Sequence, residues 1–285
     1  MHRRHALKLG AYAALALSPA ARLLARDRSR GFPIGACDWS IGRSQQLAAL
    51  ALAKEIGLDG VQVSFGEKGV RYDLRNPDVR QEYADACEKL NVRIASLAMG
   101  VLNSRPYASD ADAEQWVADC IDVMAVMNQK VVLLAFFGNG DIKDNPAAQQ
   151  HVISRLKKVA PRAERAGVVL GVESWLNADE HLRILDAVGS PAVQVYYDVA
   201  NMEMRGYDIY KEIRQLGRER ICEVHAKEND SLLGQGKVDF PKVKEALDDI
   251  GWTGWLIIES ANPAGRSVVE NYKLNRQYLR SVFPA

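Results

Sequence analysis

From Ile34 onward one alternation runs to the end of the chain: an apolar run of about six residues, then an amphipathic stretch of about 12 to 20. The runs read IGACDWS, GVQVSF, VRIASLAM, KVVLLAFF, VVLGVES, VQVYYD, ICEVHAKE and WLIIES. Between and after them the spacing predicts helices near 44–57, 77–90, 110–128, 146–166, 178–188, 207–217, 240–250 and 266–282. Gly57, Gly167 and Gly251 follow predicted helix ends, where a left-handed residue closes the last turn. Asp110 and Asp179 stand where they cap or charge-complement a helix start. Eight strands alternating with eight helices predict an α/β fold, a closed (β/α)8 barrel spanning 31–285 as one domain. An open doubly wound sheet fits less well, because no GxGxxG turn follows the first strand.

Residues 1–30 follow a different rule. Arg3 and Arg4 precede a short apolar stretch from about Leu9 to Leu17, then small residues with Ala20 and Ala25 as cleavage candidates, then the polar linker RDRSR. That order matches an export signal of the twin-arginine type, and it predicts an exported, periplasmic protein. No apolar run reaches the roughly 20 residues of a membrane-spanning helix. A net charge of +1 argues against a nucleic-acid partner, which calls for a basic face. Cys37, Cys87, Cys120 and Cys222 form no CxxC pair and read as small buried hydrophobes, two on strands and two on helices.

A closed parallel barrel places its chemistry at the C-terminal mouth of the strands. Four runs end there on a charge or an imidazole: Glu173, Asp198, His225 and Glu259, each about one βα repeat from the next. A charge at the end of an apolar strand costs free energy unless something compensates it. Three carboxylates and one imidazole on four consecutive strands would compensate one another around a divalent cation. The oxygen-rich set suits Mn2+, Mg2+ or Co2+ better than structural zinc, with Zn2+ as a further candidate. Four protein ligands would leave room for two vicinal oxygens of a sugar. Lys227, two residues after His225, points the same way. Asn201, Trp39 and Gln62 are further candidates for substrate contact, as are Arg105 and Tyr107 in the stretch 100–110. Each has a plainer alternative in packing, turn formation or ion pairing. Asn177 reads as a helix cap, Glu228 and Asp230 as loop residues, and His151 and His181 as surface histidines.

VVLGVES, YYDVAN, EVHAKEND with LLGQGKVDF, and IIES together resemble the xylose isomerase-like TIM-barrel family of sugar isomerases and epimerases, D-tagatose 3-epimerase-like members among them. The resemblance implies that Glu173, Asp198, His225 and Glu259 bind one divalent cation, and the oxygen-rich ligation puts Mn2+ first among the candidates. It also implies that Glu173 and Glu259 are the catalytic acid/base pair. Chemically the double role is coherent: a cation chelating a carbonyl and its neighbouring hydroxyl stabilises an enediolate, and carboxylates on its two faces take and return a proton. Two departures stand out. Asn201 occupies a position where sugar epimerases often carry a histidine, and Ser231 and Leu232 stand where several carry an arginine. The same site could instead serve a lyase or hydratase acting on 3-keto-glycosides or derived enones. A binding protein without turnover is a further reading. A three-zinc nuclease is disfavoured, since of five histidines only His225 is placed to ligate. The expected partner is a small sugar or keto-sugar. A homo-oligomer is in keeping with the resemblance, although no face of the sequence marks an interface.

Overall fold

The computed structural model describes residues 31–284, so the export signal and linker expected at 1–30 lie outside the described residues. Eight parallel strands close into a barrel in sequence order: β1 (Ile34–Cys37), β2 (Gly60–Ser64), β3 (Arg93–Met99), β4 (Val131–Phe136), β5 (Val169–Ser174), β6 (Val193–Asp198), β7 (Ile221–Ala226) and β8 (Leu256–Ile258). β1 pairs with β8 to complete the ring, Ala36 lying beside Ile258. The helices are α1 (Ala48–Ile56), α2 (Pro77–Leu90), α3 (Ala111–Val126), α4 (Pro146–Ala166), α5 (Ala178–Val188), α6 (Val199–Met204), α7 (Ile209–Leu216), α8 (Phe240–Asp249) and α9 (Val268–Val282). The expected (β/α)8 barrel is therefore the observed fold, with α6 as an addition.

Local chemistry sets the bounds. α2 and α4 begin with proline at the first helical position, behind Asn76 and Asn145, whose side chains accept from Asp78 N and Ala148 N. Asn177 and Glu180 form a reciprocal capping box on α5. Gly57 and Gly167 close α1 and α4 with φ of 88° and 67°. Asp110 caps α3 through Asp112 N and Ala113 N.

Two layers of packing follow from strand alternation. The outward-facing aliphatic residues of the strands form one core with the inner faces of the helices, including Ile34, Leu97, Val132, Leu170, Val195 and Ile258. Inside the barrel lies a smaller cluster with Cys37, Ala98, Leu133, Ala135, Tyr196 and Ile257. Gly171 belongs to this inner layer for want of space. A Cβ there would come within 2.7 Å of Cys222 Sγ and 3.1 Å of Tyr196 Cβ, so glycine makes room for the Tyr196 ring. All four cysteines are unpaired, three of them buried and Cys87 half-buried. Among the described residues no helix is long and apolar enough to cross a membrane.

Candidate active site

The strand ends deliver Glu173 (β5), Asp198 (β6) and His225 (β7) to the mouth, and Glu259 arrives one residue past β8. The ladder continues to it, since Glu259 N donates to Ala226 O at 3.1 Å. One ligand atom from each of the four lies within 4.8 Å of every other. His225 Nδ1 is 2.9 Å from Glu173 Oε1, 3.4 Å from Glu259 Oε2 and 3.8 Å from Asp198 Oδ2. One side of a single imidazole thus faces three carboxylates.

The electrostatics of this cluster call for a positive charge at its centre. Burial pushes the Glu173 carboxyl up, and repulsion from Glu259 and Asp198 adds to this against the pull of His225. Burial alone would lower the His225 pKa, yet its charged neighbours outweigh burial and hold it well above the ordinary histidine range. The Cys37 thiol beneath the ring is kept neutral by its own burial, which raises its pKa to about 12, so the carboxylates are what hold the imidazole up. Burial also opposes the Asp198 charge, but Lys227 and His225 prevail and its pKa falls. Asp198 Oδ2 is buried and has no hydrogen bond. Its Oδ1, by contrast, accepts from Ala200 N at 3.0 Å and Asn201 N at 2.9 Å and so caps α6. A buried carboxylate oxygen with no hydrogen bond, ion-paired with Lys227 at 3.3 Å, beside two other carboxylates and an imidazole nitrogen is a donor set that fits a divalent cation.

Around the cluster opens a cavity of about 560 Å³, lined by Trp39, Glu173, Asn201, Lys227 and Glu259 together with Ser64, Phe137 and Trp175. Trp39 Nε1 donates to Glu259 Oε1 at 2.8 Å. Lys227 Nζ donates to Glu259 Oε2 at 2.9 Å and lies 3.3 Å from Asp198 Oδ2. Burial works against the Lys227 charge, but the surrounding carboxylates raise its pKa. Both oxygens of Glu259 are thus held by N–H donors, whereas Glu173 faces His225.

Not every candidate reaches the cavity. Gln62 is fully buried beneath it: its Oε1 lies 2.9 Å from His225 Nε2, and its Nε2 donates to Ser96 Oγ and Tyr196 OH. It supports the imidazole rather than meeting substrate. Arg105 pairs with Asp110 and Asp112, and Tyr107 is buried against Phe136, so neither lines the cavity. His181 is buried, not on the surface. Its Nδ1–H donates to Asn177 O at 3.1 Å and its Nε2 accepts from Ser174 Oγ at 3.1 Å, an arrangement that braces the end of β5. Burial holds it neutral, with its pKa lowered to about 4.

Glu228 organises the glycine-rich turn 233–240 after β7, its carboxylate accepting from Lys237 N and Val238 N. The backbone of Gly236 lies over that carboxylate so closely that a Cβ would meet Glu228 Oε2 at 2.1 Å. Trp175, whose ring meets Phe137 edge-on at 4.8 Å, escaped the sequence reading. Its only sequence mark is an aromatic residue two places after Glu173.

The profile of the family described as "Xylose isomerase-like TIM barrel" matches residues 50–282. The chain belongs to this family. Among its relatives is an L-ribulose-5-phosphate 3-epimerase of Shigella boydii, 27% identical over 250 residues, covering 81% of this chain and 84% of the relative. Solved structures of similar fold include a D-allulose 3-epimerase from Methylomonas sp. (TM-score 0.71, 16% identity, 88% of this chain and 97% of that one). Another is a 3-keto-D-glucoside 4-epimerase from E. coli (TM-score 0.71, 15% identity, 88% and 99%). By name these three proteins are sugar epimerases, enzymes of the isomerase class.

Proposed function

We propose that the protein is a divalent-metal-dependent sugar isomerase or epimerase that moves a proton on carbon next to a carbonyl. The observation that carries this reading is that two glutamates, Glu173 and Glu259, share one four-donor cluster and both line the same cavity. Glu173, Asp198, His225 and Glu259 would hold the cation, Mn2+ by preference, with Mg2+, Co2+ or Zn2+ as alternatives. When bound, the cation would polarise a sugar carbonyl and its neighbouring hydroxyl, which acidifies the intervening C–H. One glutamate takes that proton and the other returns one on the opposite face of the planar carbon, which inverts the centre. Return to the adjacent carbon instead gives isomerisation. Trp39 and Lys227 fix the Glu259 carboxylate by its two oxygens, so its reach toward substrate is set before binding. Asn201 offers a polar contact at the cavity wall.

The substrate on this reading is an uncharged sugar or keto-sugar. Among the described residues that line the cavity Lys227 is the one cation, and it is committed to Glu259 and Asp198. That arrangement provides no free charge for a phosphate, unlike what a sugar-phosphate substrate would call for. Export by the twin-arginine route, which Arg3 and Arg4 support, agrees with an uncharged extracytoplasmic substrate.

Incubation of the metal-loaded enzyme in D2O with free ketoses, and separately with a 3-keto-glucoside, tests the proposal. The expected result is deuterium on one carbon of a recovered epimer or aldose. Release of an enone would show elimination instead, and binding without exchange would reduce the protein to a receptor.

A further inference from the structure

The four candidate metal-binding residues rest on a second set of polar side chains deeper in the barrel, and these impose a direction on the imidazole. Ser96 Oγ donates to Glu223 Oε2 at 2.7 Å. Having given its hydrogen to a carboxylate, Ser96 Oγ can only accept from Gln62, 3.1 Å away, and this places the Gln62 amide nitrogen toward Ser96. The same nitrogen reaches Tyr196 OH at 2.9 Å. The Gln62 amide oxygen must therefore point the other way, and it lies 2.9 Å from His225 Nε2. An oxygen acceptor at that distance requires a hydrogen on Nε2, because two facing lone pairs would repel. Cys37 Sγ adds a weak thiol donor to the same oxygen at 3.3 Å. The Tyr196 ring packs edge-on to the imidazole at 4.5 Å and limits its rotation. Gln62, Ser96 and Glu223 are all buried, so water does not compete for these bonds.

We infer that Gln62, oriented by Ser96 and Glu223, is a positioning residue that holds His225 as the Nε2–H tautomer and so makes Nδ1 the metal-binding atom. The inference rests on the metal reading of the site given above and adds to it which nitrogen binds and what enforces the choice. Metal-binding histidines gain both orientation and basicity when their second nitrogen donates to a fixed acceptor, and loss of such a partner costs about 10–100-fold in metal affinity. An amide is the suited acceptor here: a carboxylate in its place would add a fourth negative charge next to the cluster and could not donate to Ser96.

The test uses the full chain, stripped with a chelator, labelled with 15N-histidine and titrated with Co2+ alone. The wild type is expected to bind one Co2+ and to show one hyperfine-shifted, 15N-coupled proton that exchanges slowly in D2O, the Nε2–H of His225. Gln62→Met, close in volume, is expected to weaken Co2+ binding about 10–100-fold and to speed exchange of that proton. Ser96→Ala should give the same effects in smaller measure, and Ser96→Thr, which keeps the hydroxyl, should restore wild-type behaviour. Circular dichroism of each variant separates these effects from loss of fold. A 15N-coupled shifted proton with a nuclear Overhauser contact to the His225 β protons and none to its ring Hδ2 would be Nδ1–H; it would make Nε2 the ligand and overturn this inference while leaving the metal site standing. Unchanged affinity and exchange in a folded Gln62→Met protein would overturn it as well. Failure of the wild type to bind Co2+ would instead remove the metal reading itself.

Discussion

Asp38 on the β1–β2 side of the rim and Asp198 on the β6 side occupy equivalent places in the fold. Each ends an apolar strand run, and each is buried, with 0% and 1% of its surface exposed. Their surroundings differ atom by atom. Asp38 Oδ1 accepts from Ser64 Oγ at 2.6 Å, and its Oδ2 accepts from Ser64 N at 2.8 Å and Gln45 N at 2.9 Å. Asp198 has one oxygen capping α6 and the other without a hydrogen bond. The pKa shifts run in opposite directions. Burial pushes Asp38 up to about 6 in spite of its donors, whereas for Asp198 burial is outweighed by Lys227 and His225 and the pKa falls. A buried carboxylate is therefore not a site by virtue of being buried. The distinguishing mark is an oxygen left over after the backbone has been served, aimed at other groups of the same charge.

The largest effects are expected at the two glutamates of the cluster. Glu173→Gln and Glu259→Gln should each lower turnover by about 10³-fold, the order of a lost general acid or base, as measured by solvent deuterium exchange into the sugar. Retained exchange in both would remove them from the chemistry. Next comes one substitution applied on both sides of the rim. Asp198→Asn keeps an oxygen for the α6 cap but loses the carboxylate oxygen that has no hydrogen bond, so Mn2+ affinity should fall by at least about 100-fold. Asp38→Asn keeps an acceptor for the two backbone N–H groups and can donate to Ser64 Oγ, so Mn2+ affinity should stay within about twofold. Mn2+ at 100 times the parent's Kd should then add about 2.7 kcal/mol of stability to the parent, nearly as much to Asp38→Asn, and no more than about 0.4 kcal/mol to Asp198→Asn. Calorimetric titration with denaturant melts reads both quantities, and equal losses in the two variants would erase the distinction.

The sequence made the architecture legible wherever it carried explicit punctuation. α2, α4 and α5 lie at 77–90, 146–166 and 178–188, as the spacing predicted, because proline or an asparagine cap marks each start and a glycine or asparagine each end. α6 was not legible, since six residues are too few to display a 3.6-residue period. For the candidate site, alternation gives which face of the sheet a residue takes but not which layer of the barrel. Gln62 and Ser64 share the inward parity, yet Ser64 lines the cavity and Gln62 lies beneath it. Glu223, two residues before His225, was overlooked for the same reason. His181 looked like a surface residue because its neighbours in the helix are polar; what buries it is a pair of hydrogen bonds to Ser174 and Asn177 that no periodicity encodes. Asp198 is marked in sequence by its resemblance motif, but what satisfies Asp38 is not, because its donors come from another strand and a loop.

A pH experiment sharpens the contrast from the Asp38 side. Its folded-state pKa of about 6 lies above the ordinary aspartate value of 3.8, so the folded protein binds this proton more tightly than the unfolded chain. Its contribution to stability is complete below the unfolded pKa and is lost as pH rises from about 4 to about 6. The parent should therefore lose stability over that window, by no more than about 3 kcal/mol for a shift of this size, relative to Asp38→Asn, in which the titration is absent. Parallel pH profiles for the two proteins would show that Asp38 titrates alike in both states.

The smallest effect is expected at Glu212, the control for a buried carboxylate with no spare oxygen. Its Oε1 accepts from Ala178 N at 2.9 Å and its Oε2 from Tyr197 OH at 2.9 Å, joining α7 to the start of α5 and to β6. In Glu212→Gln the amide oxygen can keep the Ala178 bond, and the amide nitrogen can donate to Tyr197 OH, a hydroxyl that accepts as readily as it gives. Both bonds re-form, the Tyr197 one with its polarity exchanged, so chemical denaturation should show a loss below about 1 kcal/mol and no change in Mn2+ affinity. A loss of metal binding in Glu212→Gln would mean that a fully bonded carboxylate outside the cluster contributes to the cation's field, and the leftover oxygen would no longer be what separates a site from a scaffold.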